Sequence, residues 1–253
     1  MKNCHTKIKV VAASVKGPLH QNENLPCQDY FKFCRSGKNF VAVVSDGAGS
    51  SLYGKIGARI VCETLIDLLK NAKPEKIRET VAQAIEIARS KVCRHRYNSS
   101  KSLEGIEQFA ATVVGVVCFQ KKGIFFHIGD GAALAFSGEK ITDFVASRPE
   151  NGNFSCETFF FTQPNWKHNL RFTSFENMEN IFLMSDGLTT FAFSKNFEGL
   201  ERGFILPIHR FLQAEKCEKK ASVALANTLN NTKAQKLNKD DKTLLWAQFE
   251  KAE

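Results

Sequence analysis

The chain carries two kinds of hydrophobic pattern, and each predicts a different element of secondary structure. Short apolar runs bounded by turn residues are typical of β-strands. We predict strands at residues 8–15, 30–34, 40–45, 111–119, 124–128, 132–136, 157–162, 170–175, 181–184 and 243–249. Apolar residues at helical spacing predict helices over residues 55–70, from Pro74 to about residue 92, and over residues 216–229. Consecutive strands with two successive helices between them indicate an α+β fold with mostly antiparallel strands.

Composition narrows the class of protein. The chain has 253 residues, of which 43% are hydrophobic, and it shows no obvious linker, so we expect one globular domain over residues 1–253. The eight cysteines include no CxxC pair, which argues against a zinc site of the usual spacing. The first residues lack an apolar leader and no run is long enough to span a bilayer, so we expect a cytoplasmic protein with reduced thiols.

The formal net charge of +9 raises the question of anionic partners. Basic surfaces attract nucleic acids, acidic membranes and phosphorylated proteins. The lysines and arginines are scattered, however, and the densest run (Lys216, Lys219 and Lys220) is interleaved with Glu215 and Glu218. That arrangement is typical of a solvated helix face. We therefore expect neither nucleic acid nor a membrane as a partner.

An apolar run that ends at Asp-Gly occurs three times, at Asp46, Asp130 and Asp186, and Asp240 with Asp241 precedes the last predicted strand. One Asp-Gly is an ordinary turn. Four such sites would bring several carboxylates to one rim if the strands are neighbours. Crowded carboxylates resist ionisation unless a cation lies between them. Oxygen ligands suit Mg²⁺ or Mn²⁺, and two such ions are typical of phosphate-ester hydrolases.

A glycine-rich loop after Asp46 suggests a second kind of phosphate site. Residues 49–56 contain the glycines and the lysine of a Walker loop, but Ile56 stands where the motif needs Ser or Thr. We therefore reject a nucleotide-binding P-loop.

Short motifs follow one another in a fixed order along almost the whole chain. They are CQD (27–29), SDGAGS (45–50), GA (57–58), AT (111–112), IGDG (128–131), SDG (185–187) and DDKT (240–243). Each motif is weak alone, but together they resemble the metal-dependent serine/threonine protein phosphatases of type 2C, most closely the compact bacterial branch. The resemblance implies a four-layer α/β/β/α sandwich of two antiparallel sheets flanked by helices, with the metals in a cleft at one end.

The resemblance also implies a set of metal ligands. Asp46 is similar to the aspartate that bridges two Mn²⁺ or Mg²⁺ ions, and the Gly47 carbonyl binds one of them. Asp186 and Asp240 complete the shell of the second ion. Asp240 matches better than Asp241, because Asp241 occupies the asparagine position of the family motif, but the sequence leaves the choice between them open.

Two further aspartates have implied roles. Asp29 holds metal-bound water, beside Gln28, and Asp130 holds a third, weaker ion. The implied catalytic residues are Asp46, Asp186, Asp240 and Asp29, and the implied metal ligands are Asp46, Gly47, Asp130, Asp186 and Asp240. The implied substrate is a phosphorylated protein, opposite a serine/threonine kinase.

The chain also departs from the family pattern. Asn24 stands where many members carry an arginine that grips the substrate phosphate, and His20 or Lys16 is a candidate substitute for it. Gln28 replaces an acid found in many relatives, and Ala48 replaces a histidine of many eukaryotic members. These changes leave the metal ligands intact but put substrate affinity in question. The expected function is hydrolysis of phosphoserine and phosphothreonine by a water that two metal ions activate. The alternative is a weakly catalytic pseudophosphatase that binds phosphoproteins.

Overall fold

We describe residues 7–36, 39–99, 105–119, 122–149, 158–194, 197 and 199–249 of a computed structural model. In these residues the strands are β1 (Ile8–Val15), β2 (Tyr30–Ser36), β3 (Asn39–Ser45), β4 (Val113–Phe119), β5 (Lys122–Ile128), β6 (Ala132–Ser137), β7 (Asp143–Ser147), β8 (Arg171–Phe175), β9 (Asn180–Met184) and β10 (Lys242–Phe249). The helices are α1 (Pro18–Asn22), α2 (Gly54–Leu69), α3 (Ile77–Ser99), α4 (Trp166–Asn169), α5 (Asp186–Ala192), α6 (Arg202–Ala214), α7 (Glu218–Leu229) and α8 (Thr232–Leu237). Short 3₁₀ turns cover Pro74–Lys76 and Ile106–Phe109.

The strands form two five-stranded sheets. The first sheet has the order β1-β10-β9-β6-β7, and the second has the order β2-β3-β4-β5-β8. Neighbouring strands pair antiparallel in both sheets.

Three apolar layers hold the sheets and helices together, and β3 shows how one strand serves two of them. Val41 and Val43 pack with α2 and α3 on the outer face of the second sheet. Phe40, Ala42 and Val44 pack between the sheets. This division follows from the alternation of side chains along a strand. A third layer lies between the first sheet and the helices α5, α6 and α7.

The observed architecture confirms the predicted fold class, two antiparallel sheets flanked by helices. One strand prediction was wrong. Residues 158–162, the described part of the run predicted at 157–162, form an isolated bridge residue and a turn. The Phe161 amide donates to the Ala111 carbonyl, and the Phe161 ring packs in the α2–α3 layer. The apolar run suggested a strand, but such a run alone does not distinguish a strand from a buried turn.

Helices account for most of what the sequence patterns missed. Helices α1, α4, α5, α6 and α8 were not predicted, and neither was strand β7. Helix α6 carries Pro207 in its interior, and Pro207 obscures the helical spacing of Ile205, Ile208 and Leu212. Across the part of the chain that the structure describes, no helix combines the length and the apolar character needed to cross a membrane.

The topology brings five aspartates to one end of the sandwich. Strands β3 and β5 run in the same direction because each pairs antiparallel with β4, so Asp46 and Asp130 follow strands that end on the same side. Strand β10 begins where β9 ends, which brings Asp240 close to Asp186. Asp29 precedes β2, whose first residue pairs with the last residue of β3.

Candidate metal centre

Backbone hydrogen bonds hold Asp46 at the end of β3. The Asp46 amide donates to the Thr112 hydroxyl at 3.0 Å, and the Thr112 amide donates to the Asp46 carbonyl at 2.8 Å. Both backbone groups of Asp46 therefore have partners, and its carboxyl group is left to interact with the other aspartates.

Burial, and to a smaller extent the charges of neighbouring carboxyl groups, raise the pKa values of the aspartates in the cleft. Burial raises the pKa of Asp46 well above its ordinary value, and the charges of Asp29 and Asp186 raise it further. The pKa of Asp186 rises to about 7, first because of burial and then because of the charge of Asp130, while a hydrogen bond with Asp46 acts in the opposite direction. Such shifts arise where carboxyl groups are removed from water and lie close to one another.

Two hydroxyl groups orient the carboxylate of Asp29. Its Oδ2 accepts hydrogen bonds from Ser185 Oγ at 2.8 Å and from Thr243 Oγ1 at 2.6 Å. Its Oδ1 is buried and has no hydrogen-bond partner among the described residues. Burial raises the pKa of Asp29 to about 6, and the two hydroxyl groups limit the rise. Asp29 therefore keeps one oxygen fixed and one available to a ligand.

Asp186 and Asp130 complete this side of the cleft. Asp186 is the first residue of α5, and its Oδ1 is buried without a hydrogen-bond partner in the described part of the chain. Asp130 Oδ2 accepts a hydrogen bond from Thr158 Oγ1 at 2.6 Å. Burial raises the pKa of Asp130, and the Thr158 hydroxyl opposes that rise.

The adjacent residues Asp240 and Asp241 have different surroundings. Asp241 is 1% exposed, and its carboxylate accepts from Gly17 N at 2.7 Å, Gln28 N at 2.6 Å and His20 Nδ1 at 2.9 Å. Asp240 is partly exposed, and its Oδ1 accepts from the Asp241 amide at 2.8 Å. The oxygens of Asp241 are occupied by nitrogen donors, so this geometry favours Asp240 as the ligand.

Gly47 lies where no side chain fits. A Cβ at this position would lie 2.3 Å from the carbonyl carbon of Gly54. The Gly47 amide donates to the Gln28 carbonyl at 3.3 Å. Its carbonyl accepts from the Gln28 side-chain amide at 2.9 Å, and the second lone pair of that oxygen remains for a cation.

The two candidate replacements for the missing arginine make bonds within the protein. His20 is 6% exposed and contacts Asp241 through Nδ1. Lys16 Nζ donates to the Leu25 carbonyl at 2.7 Å. Asn24 is exposed, and its backbone has a φ of 56°. The role of His20 in substrate binding stays a prediction.

The donor set of the cleft fits a hard divalent cation. The described residues contain no group of three acidic, histidine or cysteine side chains that already meets the spacing of a metal site. The buried Oδ1 atoms of Asp29 and Asp186 nevertheless have no hydrogen-bond partner in the described part of the chain, and burial raises the pKa values of both carboxyl groups. A cation with oxygen ligands would satisfy these oxygens and favour the ionised carboxylates.

Several supporting residues of the site were not identified from the sequence. Ser185 and Thr243 orient Asp29, Thr112 holds the backbone of Asp46, and Thr158 contacts Asp130. Three of the four (Ser185, Thr243 and Thr112) lie inside the quoted motifs, and Ser185 and Thr243 stand beside or near an aspartate in the sequence. Their position in the motifs was the available signal, but the partner of each hydroxyl group depends on the fold.

Solved structures with the same architecture include bacterial serine/threonine phosphatases. The serine/threonine phosphatase Stp1 of Staphylococcus aureus has 14% sequence identity and a TM-score of 0.65, with 98% of this chain and 97% of that chain covered. RsbX, crystallised in complex with magnesium, has 14% identity and a TM-score of 0.59, with 96% of each chain covered. At this level of identity, the likeness establishes the fold.

Sequence comparison identifies the family. Serine/threonine-protein phosphatase 3 of Escherichia coli is 24% identical over 253 residues, with 95% of this chain and 99% of that protein covered. Residues 16–230 match the protein phosphatase 2C family, and the chain belongs to that family. The family and the enzyme class predicted from the sequence, a type 2C protein phosphatase, are therefore confirmed. Enzymes of this class act on phosphorylated proteins.

Proposed function

We propose that this protein hydrolyses phosphoserine and phosphothreonine in proteins, with two Mn²⁺ or Mg²⁺ ions held by the aspartate cleft. The observation that carries the proposal is the convergence of Asp29, Asp46 and Asp186. Burial raises the pKa of each carboxyl group, the charges of Asp29 and Asp186 raise that of Asp46 further, and two carboxylate oxygens have no hydrogen-bond partner among the described residues. The names of the relatives from E. coli and S. aureus support serine and threonine as the phosphorylated residues.

Each residue of the cleft has a task in this proposal. The carboxyl group of Asp46 interacts with those of Asp29, Asp186 and Asp240 and would be a ligand of both ions, with the Gly47 carbonyl as a further ligand of one of them. Asp186 and Asp240 would complete the ligands of the second ion, and Asp130 would hold a third ion that binds more weakly. When bound, the cations activate water and neutralise the charge of the phosphate oxygens.

Asp29 would act on the water that attacks phosphorus. Ser185 and Thr243 fix its Oδ2, and this leaves Oδ1 to accept a hydrogen bond from that water and orient it for in-line attack. The phosphate leaves its seryl or threonyl oxygen without forming a covalent bond to the protein. The magnesium bound to RsbX supports the choice of ion in a related fold.

A hydrolysis assay tests this function directly. Purified protein is incubated with p-nitrophenyl phosphate and then with phosphothreonine and phosphotyrosine peptides, each with Mn²⁺, Mg²⁺ or EDTA. We expect metal-dependent turnover, with a preference for phosphothreonine over phosphotyrosine. Asp46→Ala should abolish turnover while the far-ultraviolet circular dichroism spectrum stays unchanged. Asp143→Ala is the matched control, because Asp143 is an exposed aspartate at the other end of the sandwich.

The same assay distinguishes the proposed enzyme from the alternative function. The alternative is a phosphoprotein-binding module without turnover, and it is not favoured, because all the predicted carboxylates are present in the cleft. A folded wild-type protein that binds a phosphothreonine peptide but shows no turnover with either metal would overturn the proposed enzyme. Full activity of Asp46→Ala would overturn the assignment of the site.

A further inference from the structure

A buried hydrogen-bond network lies behind the aspartate cleft. It connects three segments of the chain: residues 17–28, the loop before β10 and the loop after β3. We propose that Asp241 is a positioning residue that acts through Gln28 to hold the Gly47 carbonyl in place for a divalent cation. The proposal rests on the metal-dependent function proposed above and adds two residues, neither of them a ligand, on which the affinity for the metal depends.

The first step is the contact between Asp241 and the segment of residues 17–28. The carboxylate accepts from Gly17 N, His20 Nδ1 and Gln28 N, at 2.7, 2.9 and 2.6 Å. These three donors come from the beginning, middle and end of that segment. Because hydrogen bonds to an ionised acceptor are the stronger kind, one buried carboxylate holds the whole segment against the loop before β10.

Close backbone packing supports the same contact. A Cβ at Gly17 would lie 2.3 Å from the carbonyl carbon and oxygen of Asp240. The Leu19 amide donates to the Lys239 carbonyl at 3.1 Å. The segment therefore lies directly on the backbone of Asp240, with no space for a side chain or water at Gly17.

The second step is the contact between Gln28 and the loop after β3. The Gln28 side chain is buried, and its amide nitrogen lies 2.9 Å from the carbonyl oxygens of both Gly47 and Ala48. Only a donor can satisfy two carbonyl oxygens, so the nitrogen faces them. A Cβ at Gly54 would lie 2.5 Å from the end of this side chain, and the side chain therefore has little room to move.

The two steps form one connection from Asp241 to the proposed ligand. Asp241 fixes the backbone of Gln28, and the Gln28 side chain fixes the carbonyl of Gly47. Outer residues that orient metal ligands commonly change metal affinity by about 10- to 100-fold when they are replaced. An asparagine at position 241 would place an NH₂ group opposite a backbone N–H donor. A methionine at position 28 would keep the size of the side chain and remove its donors.

A double-mutant cycle on Mn²⁺ affinity tests the connection without using catalysis. Metal-free wild type, Asp241→Asn, Gln28→Met and the double variant are titrated with Mn²⁺, and free Mn²⁺ is measured by electron paramagnetic resonance. We expect each single variant to raise the Mn²⁺ dissociation constant about tenfold. The double variant should be no weaker than the weaker single variant, because both changes break the same connection. Excess Mn²⁺ should restore most of the turnover of each variant.

Two controls and three outcomes complete the test. Gln21→Met, in an exposed position of the same segment, and Asp143→Asn, on β7, should bind Mn²⁺ like the wild type.

Losses that multiply to about 100-fold in the double variant would show independent effects and overturn the proposal. Unchanged Mn²⁺ affinity with a lower melting temperature would reduce Asp241 to a structural role and overturn it too. A wild-type protein that binds no Mn²⁺ would instead overturn the proposed metal-dependent function, and this inference with it.

Discussion

Two groups of carboxylates lie close together in this protein and have opposite surroundings. In the cleft, Asp29 and Asp186 each have a buried oxygen that accepts no hydrogen bond from the residues described, and burial raises their pKa values to about 6 and about 7. Behind the cleft, Asp241 is 1% exposed and accepts from three nitrogen donors. A cation in the cleft would therefore stabilise the ionised carboxylates there, whereas each carboxylate oxygen of Asp241 already accepts from a nitrogen donor.

The comparison separates function from stability. A carboxylate without donors destabilises the metal-free fold and is retained for what it binds. A carboxylate saturated with donors stabilises the fold, since its removal leaves the donors buried and unpaired. Substitutions in the two groups should consequently change the stability of the metal-free protein in opposite directions.

The largest expected effect is on the activity of Asp186→Asn. Turnover should fall by at least about 1000-fold, because a proposed metal ligand loses its charge. The same substitution removes a carboxylate from the crowded cleft, so the free energy of unfolding of the metal-free protein at pH 8 should rise by about 1–3 kcal/mol. Steady-state kinetics and urea denaturation in EDTA measure the two quantities. Loss of both activity and stability would contradict the comparison.

For Asp241→Ala we expect a loss of stability in the metal-free protein, in contrast to the gain expected for Asp186→Asn. This substitution leaves the Gly17 and Gln28 amides buried without an acceptor, and it removes the partner of His20. The free energy of unfolding of the metal-free protein should fall by about 3 kcal/mol. Urea denaturation in EDTA provides the measurement, and Asp143→Ala is the exposed control. An unchanged or higher stability would show that Asp241 belongs with the cleft carboxylates.

The stability of the metal-free protein should depend on pH because of the carboxyl groups in the cleft. Asp29 and Asp186 have folded-state pKa values of about 6 and about 7, above the value of about 4 expected in the unfolded chain. The folded state therefore binds protons that the unfolded state releases. The contribution of these two carboxyl groups to the stability is therefore fully present below about pH 4, and it is lost as the pH rises through 6 and 7.

We accordingly expect the metal-free protein to melt about 5–10 °C lower at pH 8 than at pH 5, since the two carboxyl groups contribute on the order of 3 kcal/mol. Saturating Mg²⁺ should flatten this dependence, because a cation favours the ionised carboxylates. Differential scanning calorimetry in EDTA and in Mg²⁺ measures both profiles. Asp186→Asn should show a weaker pH dependence than the wild type, and identical profiles would contradict the pKa assignments.

Much of the fold could be predicted because strands carry their own signal. The run of residues 40–45 is apolar on both faces, as a central strand between a helix layer and a second sheet requires, and it ends at an Asp-Gly turn. The helix at Arg202–Ala214 could not be predicted in the same way. Gly203 and Pro207 weaken its local propensity, so its packing against the first sheet stabilises it.

The same distinction between local and long-range features applies to the residues of the site. The aspartates at strand ends are local features, and their order identified the family. The hydroxyl groups that orient Asp29 come from 156 and 214 residues away in the chain. The donors to Asp241 are similarly distant, up to 224 residues away. Such contacts exist only after the sheets pair, and a pattern along the sequence does not contain them.

The smallest expected effect concerns the phosphate side of the cleft, where position 24 lacks the arginine that the family pattern suggests. His20 and Lys16 already make bonds within the protein, so neither is wholly available to a substrate phosphate. Asn24→Arg should lower the KM for a phosphothreonine peptide about threefold to tenfold, as a charged hydrogen bond to phosphate provides, and leave kcat nearly unchanged.

The backbone at this position limits the gain and supplies the control. Asn24 has a left-handed φ of 56°, and an arginine there should cost about 1 kcal/mol of stability. Asn22→Arg adds the same charge at the exposed end of α1, where the handedness of the backbone imposes no such cost. If the two variants lower KM equally, the effect is general attraction of the peptide. A lower KM in Asn24→Arg alone would identify position 24 as the phosphate-facing side of the cleft, in contrast to Asp241, which lies behind it.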